Sequence, residues 1–263
     1  MPAGLRVKDV IGLVREAQAG PGPAEPILVR GPRAGELADL LTRDGDSRLV
    51  TTTGDGSNAG AVVLLVETPP VTGEVELLRR ATRAGTPIVA VRLLPFVEPI
   101  PYVLPEDIFA PEIDGTLPVR GITAALARGL PDGGVALGAA LPVLREAVAR
   151  RQSLEAAVTA GTLAAFSGKG RSLLPVLALA QTRTMRRLGT ASGARTGSDP
   201  AVAAQSTAQN LGAALAVGLV SRTLARRLPL RGRLIDGALA AGGTFALALV
   251  ARRLARIGDH DTT

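Results

Sequence analysis

Short apolar runs alternate with amphipathic segments along the first 120 residues of this chain, and beyond that point only helical periodicity remains. Residues 5–18 (LRVKDVIGLVREAQ) space their apolar positions as one face of a helix, and GPGPAEP at 20–26 breaks it. ILVR at 27–30 then reads as a strand, RAGELADLLTR at 33–43 as a short amphipathic helix, and RLVTTT at 48–53 as a β-branched strand. GDGSNAG at 54–60 is a turn-rich loop. AVVLLV at 61–66 is wholly apolar, as a strand covered on both faces must be. EVELLRRATRAG at 74–85 separates apolar from charged positions at helical spacing, with Gly85 placed to cap it, and PIVAVRLL at 87–94 is a further buried strand. Strands that alternate with helices predict an open, parallel α/β sheet.

After residue 120, Ala and Leu dominate, and helices are predicted at about 120–130, 136–151, 153–166, 171–189, 199–228 and 233–256. The intervening PDGG, SGKG, GTASGARTG and PLRG supply the Gly and Pro that end helices. The pattern divides the chain into an α/β domain over 1–119 and an all-α helical domain over 120–263. No repeat of fixed period is visible.

Composition narrows the chemistry. Hydrophobic residues make up 46% of the 263 but aromatic ones only 2%, so the interior is built from Ala, Leu and Val, and stacking platforms for bases are scarce. There is no cysteine, and the single histidine, His260, lies three residues from the end. Disulfides, thiolate metal sites, thiol nucleophiles and most triads are therefore excluded. No catalytic residue and no metal ligand is assigned. Residues 1–130 carry 13 basic and 16 acidic side chains, net −3, whereas 131–263 carry 17 and 7, net +10. The second half thus prefers an anionic neighbour: lipid headgroups, nucleic acid or the acidic first half. Only two of the 30 cations are lysine, a skew that with abundant Ala and Gly points to a GC-rich genome, so arginine alone is weak evidence of a phosphate-binding surface. The first twenty residues interrupt their apolar stretch with charges and do not read as a secretion signal, which gives a cytoplasmic expectation.

A strand, a glycine turn and a helix over 27–41 (ILVRGPRAGELADLL) form the setting of a phosphate-binding loop. Such a loop needs glycines whose amides wrap the phosphates, a lysine on the β and γ phosphates, and a Ser or Thr on magnesium. Here Gly31 and Gly35 are followed by Glu36 and Leu37, and the spacing is one residue short. The next strand places Thr51 where a magnesium-organising Asp belongs, and RLLPFVEP stands where a guanine-reading Asn-Lys-x-Asp would follow the strand at 87–91. An ordinary βα turn is the favoured reading. No cofactor is expected, and a residual nucleotide site at Gly31 and Gly35 is the alternative.

The segments at 61–93, 101–112, 141–151, 173–193 and 228–254, taken in order, carry a resemblance that covers most of the chain. The most specific are the helix with Pro175, Leu177 and Gln181 and the final small-residue helix with Gly243, Thr244 and Phe245. Together they resemble a family in which a GTPase-like domain precedes a helical domain of unknown function, domain number 697. The resemblance implies a P-loop GTPase-like sheet, and association with the bacterial inner membrane for some members. It implies no assigned activity. The GKG turn at 168–170 replaces a longer turn of the family, and the nucleotide motifs are degenerate.

LGAALAVGLV at 211–220 and LIDGALAAGGTFALALVA at 234–251 are the most apolar stretches, rimmed by arginines such as Arg222, Arg226, Arg252 and Arg253. The first has about half of the roughly 20 apolar residues that a span requires, and the second contains Asp236. Ala240, Gly243 and Ala246 suit close helix packing in a soluble bundle or a membrane pair alike. A soluble or peripheral bundle is the reading taken, with an integral hairpin as the alternative. Arg183, Arg186 and Arg187 fall on one side of a helix and form a candidate anion site, against which stands the ordinary solvated helix face. Scattered arginines and scarce aromatics speak against nucleic acid. The function expected is a non-catalytic GTPase-like scaffold or regulator that binds another protein, at the inner membrane face in one form of the reading. The alternatives are a nucleotide-binding switch and a cationic membrane- or nucleic-acid-binding module.

Overall fold

The computed structural model describes residues 22–56 and 58–166, together with 183, 184, 187 and 189–191. The unit that holds the sheet comprises Gly22–Arg151 and Ala191–Gly193, of the latter only Ala191 being described; of the other unit, the described residues are 152–166, 183, 184, 187, 189 and 190.

Five parallel strands form one sheet in the order β2-β1-β3-β4-β5. They are β1 (Ile27–Arg30), β2 (Val50–Thr51), β3 (Ala61–Val66), β4 (Ile88–Arg92) and β5 (Ile108–Phe109). Between and after them come α1 (Ala34–Thr42), α2 (Thr72–Ala84), α3 (Val119–Gly129), α4 (Val135–Ala140) and α5 (Pro142–Phe166). The order is that of a doubly wound sheet whose winding direction reverses between β1 and β3.

Alternation of side chains across the pleat explains why β3 is apolar at every position. Ala61, Val63 and Leu65 join Ile27, Val29, Val89 and Val91 on the face covered by α1 and α3, through Leu37, Leu41, Ile122 and Leu126. Val62, Leu64 and Val66 join Leu28, Ile88 and Ala90 on the opposite face, under Leu77, Leu78 and Ala81 of α2. Each fully buried Leu, Ile or Val among them contributes about 1.5–3 kcal/mol relative to exposure. Both faces are covered, so no polar position is tolerated within the strand.

The ends of α2 follow from local chemistry. The Glu74 carboxylate accepts from the Val71 N–H at 3.0 Å, satisfying one donor at the start of the helix. At the other end Gly85 adopts φ +72°, its N–H donates to the Thr82 carbonyl, and the Thr86 N–H donates to that of Ala81. This is the glycine cap that the sequence predicts.

Two differences from the sequence pattern have clear causes. β5 is only two residues long, too short for periodicity to show, and is paired to β4 through Ala90↔Ile108 and Val91↔Phe109. The helix expected over 136–151 is divided at Leu141, because Pro142 has no N–H to continue it and instead starts α5. No break follows at residue 152: Gln152 and Ser153 are buried and α5 runs on to Phe166.

The loss of strand pattern near residue 120 marks the last strand among the described residues and not the last residue of the sheet's core. Leu130, Val135, Leu137, Leu141, Leu144 and Val148 belong to the same buried cluster as Val29 and Val91. Gly121 fits α3 against β5, since a Cβ there would lie 2.7 Å from the Phe109 ring. Of the helix expected over 171–189, only Arg183, Thr184, Arg187 and Gly189 are described, all in helical backbone. The helices expected over 5–18, 199–228 and 233–256 lie outside the described residues.

Candidate functional site

The carboxyl ends of β1, β4 and β5 gather the polar groups that a doubly wound sheet offers to ligands. After β1 the chain turns through Gly31, Pro32 and Arg33 into α1. Gly31 adopts φ +105°, and a Cβ on it would lie 1.9 Å from the Leu65 carbonyl oxygen of β3. Its role is fixed by this close approach to the neighbouring strand. Gly35 lies within the first turn of α1 in ordinary helical backbone, and a Cβ added to it would meet nothing within 4 Å. The two glycines named in the sequence are thus close in the chain but do different things.

Arg33 caps α1 in the left-handed region at φ +59°, and its side chain makes no cap hydrogen bond. Its guanidinium forks onto the Glu36 carboxylate instead, Nε and Nη2 each donating at 2.7 Å. Nη1 crosses the top of the sheet and donates to the Gly115 carbonyl at 3.0 Å. The negative charge that favours a helix N-terminus is therefore supplied here by the chain's own Glu36. A phosphate entering this turn would meet that carboxylate.

The fork holds the Glu36 carboxyl below the usual glutamate range, through the hydrogen bond first and the charge of Arg33 as well, while burial opposes it. The Arg33 guanidinium is raised in turn. Because the folded value lies below the unfolded one, the pair's contribution is present above the unfolded value and is lost as pH falls through the folded value. Carboxyl-detected NMR should find the Glu36 midpoint below that of an ordinary glutamate, and Arg33→Gln should return it to the ordinary range. An unchanged midpoint in the variant would contradict the fork.

The loop at 112–116 forms the opposite wall. Asp114 accepts from both the backbone N–H and the hydroxyl of Thr116, at 3.0 and 2.7 Å, and these bonds hold its carboxyl below the usual range. Gly115 at φ +79° and the bond from the Glu112 N–H to the Thr116 carbonyl close the loop. Ile113 stands fully exposed at its tip.

Between the two walls lies a cavity of about 580 Å³, lined by Arg33, Arg92, Phe96, Pro111, Glu112 and their neighbours. Arg92 ends β4, and its guanidinium lies 4.3 Å over the Phe96 ring while Nη2 donates to the Glu98 carbonyl at 3.3 Å. In the sequence, RLLPFVEP stands out for the guanine-reading motif that it lacks. Its own Arg92 and Phe96 are signalled only by their position after a buried strand.

The remaining sequence candidates fall elsewhere. Thr51 ends β2, its hydroxyl donating to the Thr53 carbonyl at 2.9 Å, and Arg30 Nη1 donates to the Thr52 carbonyl at 3.2 Å. Arg183 and Arg187 are half-buried on helical backbone; Arg186 lies outside the described residues, so the three-arginine cluster is not seen as a whole. Among the described residues, no group of three His, Cys, Asp or Glu side chains could hold a metal ion, and no helix is long and apolar enough to cross a membrane. The stretches at 211–220 and 234–251 lie outside those residues. No family model, curated protein or solved structure matches the chain.

Proposed function

We propose that the protein is a non-catalytic, GTPase-like scaffold or regulator whose α/β unit binds another protein. In this reading the five-stranded sheet is the core of a P-loop GTPase-like domain, and the following half is an all-α helical domain in which residues 131–263, with a net charge of +10, suit an anionic membrane surface. One observation carries the non-catalytic part: the Arg33–Glu36 fork occupies the strand-turn-helix position where a GTPase holds phosphate. The residues that would hold a triphosphate and its magnesium are replaced in the sequence by Glu36, Leu37 and Thr51. What remains is a doubly covered sheet that presents loops, a suitable platform for protein recognition.

The direct test is phosphate release by the full chain with GTP or ATP and Mg²⁺. No release above the buffer rate is expected. Sustained turnover that co-elutes with the chain and saturates with nucleotide would overturn the reading in favour of a nucleotide-driven switch. The membrane part is tested separately by washing the membrane pellet. Release of the native protein by high salt is expected for a peripheral cationic surface, and a requirement for detergent contradicts it.

A further inference from the structure

We propose that the cavity between Arg92, Phe96 and the loop at 112–116 is a binding site for a small organic carboxylate with an apolar body. Its position points to a ligand site first. It opens at the carboxyl ends of β1, β4 and β5, the end at which doubly wound sheets take up ligands. Its volume of about 580 Å³ falls within the range of small-molecule sites.

The state of Arg92 points the same way. Its guanidinium is stacked on Phe96 and tethered by one bond to the Glu98 carbonyl, so its orientation is fixed before any ligand arrives. Its Nε is shielded from solvent and makes no hydrogen bond, and Arg92 makes no ion pair among the described residues. Arg33, on the other side of the cavity, is by contrast committed to Glu36 and Gly115. A carboxylate approaching the Nη side of Arg92, where donors remain beyond the one given to Glu98, would neutralise the cation.

Charge and lining set the class of ligand. Glu112 lines the same cavity, and Arg33 is already neutralised, so a polyphosphate would meet more repulsion than attraction. With Glu112 offsetting Arg92 across the lining, a single carboxylate placed against Arg92 and away from Glu112 is the largest anionic load the site admits. Leu93, Pro95, Phe96, Pro111 and Ile113 supply an apolar wall for the rest of the molecule. This site borders the turn after β1 through Arg33, but its ligand contacts are argued at Arg92 and Phe96 and do not depend on the scaffold reading.

Phenylacetate serves as the probe, with inorganic phosphate as the comparison, in an NMR titration of the isotopically labelled full chain. Saturable shifts at the amides of 92–96 and 112–115 are expected with phenylacetate at millimolar concentration. Arg92→Gln is expected to weaken binding at least about tenfold, the loss of a charge-assisted pair. Phe96→Leu, which keeps an apolar side chain and removes the stacking face, should weaken it less. Unchanged β3 amide shifts confirm the fold of each variant. No saturable shift at these amides, equal affinity in Arg92→Gln, or equal shifts with phosphate alone would each overturn the proposal.

Discussion

Replacing Gly31 with alanine is expected to destabilise the α/β unit by about 3–5 kcal/mol, among the largest effects of any single substitution in the chain. Two costs combine. A side chain at φ +105° is strained whatever the space, and here the added Cβ would lie 1.9 Å from the Leu65 carbonyl oxygen, which is held in the centre of the sheet. β1 and β3 would have to separate at their carboxyl ends, where Arg30 pairs with Leu64. Hydrogen exchange of the β3 amides in the full chain should accelerate by more than about a hundredfold. Gly35→Ala is the control: its Cβ meets nothing, and alanine in a helix is favoured over glycine by about 1 kcal/mol. That variant should be as stable as the parent or more so. If Gly31→Ala instead left exchange unchanged, the close approach to β3 would not be the reason for glycine at this position.

The second large effect lies outside the part of the chain that reads as α/β. Leu144→Ala, in α5, is expected to cost about 2–5 kcal/mol, the range for a leucine removed from a closed core. Leu144 is fully buried in the same cluster as Val29, Leu65 and Val91. The readout is again exchange of β3 amides, which lie far from Leu144 in sequence. Acceleration there shows that α5 and the sheet share one core. Faster exchange confined to α5 would show that the helix is stabilised independently of the sheet.

How much of the fold is legible in the sequence depends on which period the residues impose. β1 and β3 are readable to the residue because apolar runs bounded by Gly and Pro admit little else, and α2 because its cap residue Gly85 and its amphipathic face agree. β5 is not, since two residues carry no period and its pairing depends on β4. The packing of 130–148 is hidden for another reason. Helices that cover a sheet and helices that cover one another show the same apolar stripe, so Leu137 and Leu144 carry no mark of their partner. At the candidate site, the sequence shows Glu36 where a phosphate-binding loop would carry a lysine but not that Arg33 turns back to it, because a left-handed arginine cap has no sequence signature. Arg92 and Phe96 are visible as residue types, whereas their stacking across three intervening positions depends on how the chain turns after β4.

In the proposed reading, the turn after β1, where a GTPase-like domain would hold phosphate, is filled by the protein's own Arg33–Glu36 fork. Equilibrium dialysis of the full chain against labelled GDP with Mg²⁺ tests it most directly. Equal nucleotide concentrations on the two sides of the membrane are the predicted result. Enrichment on the protein side to one nucleotide per chain would contradict it, and would place a nucleotide where the structure places a carboxylate.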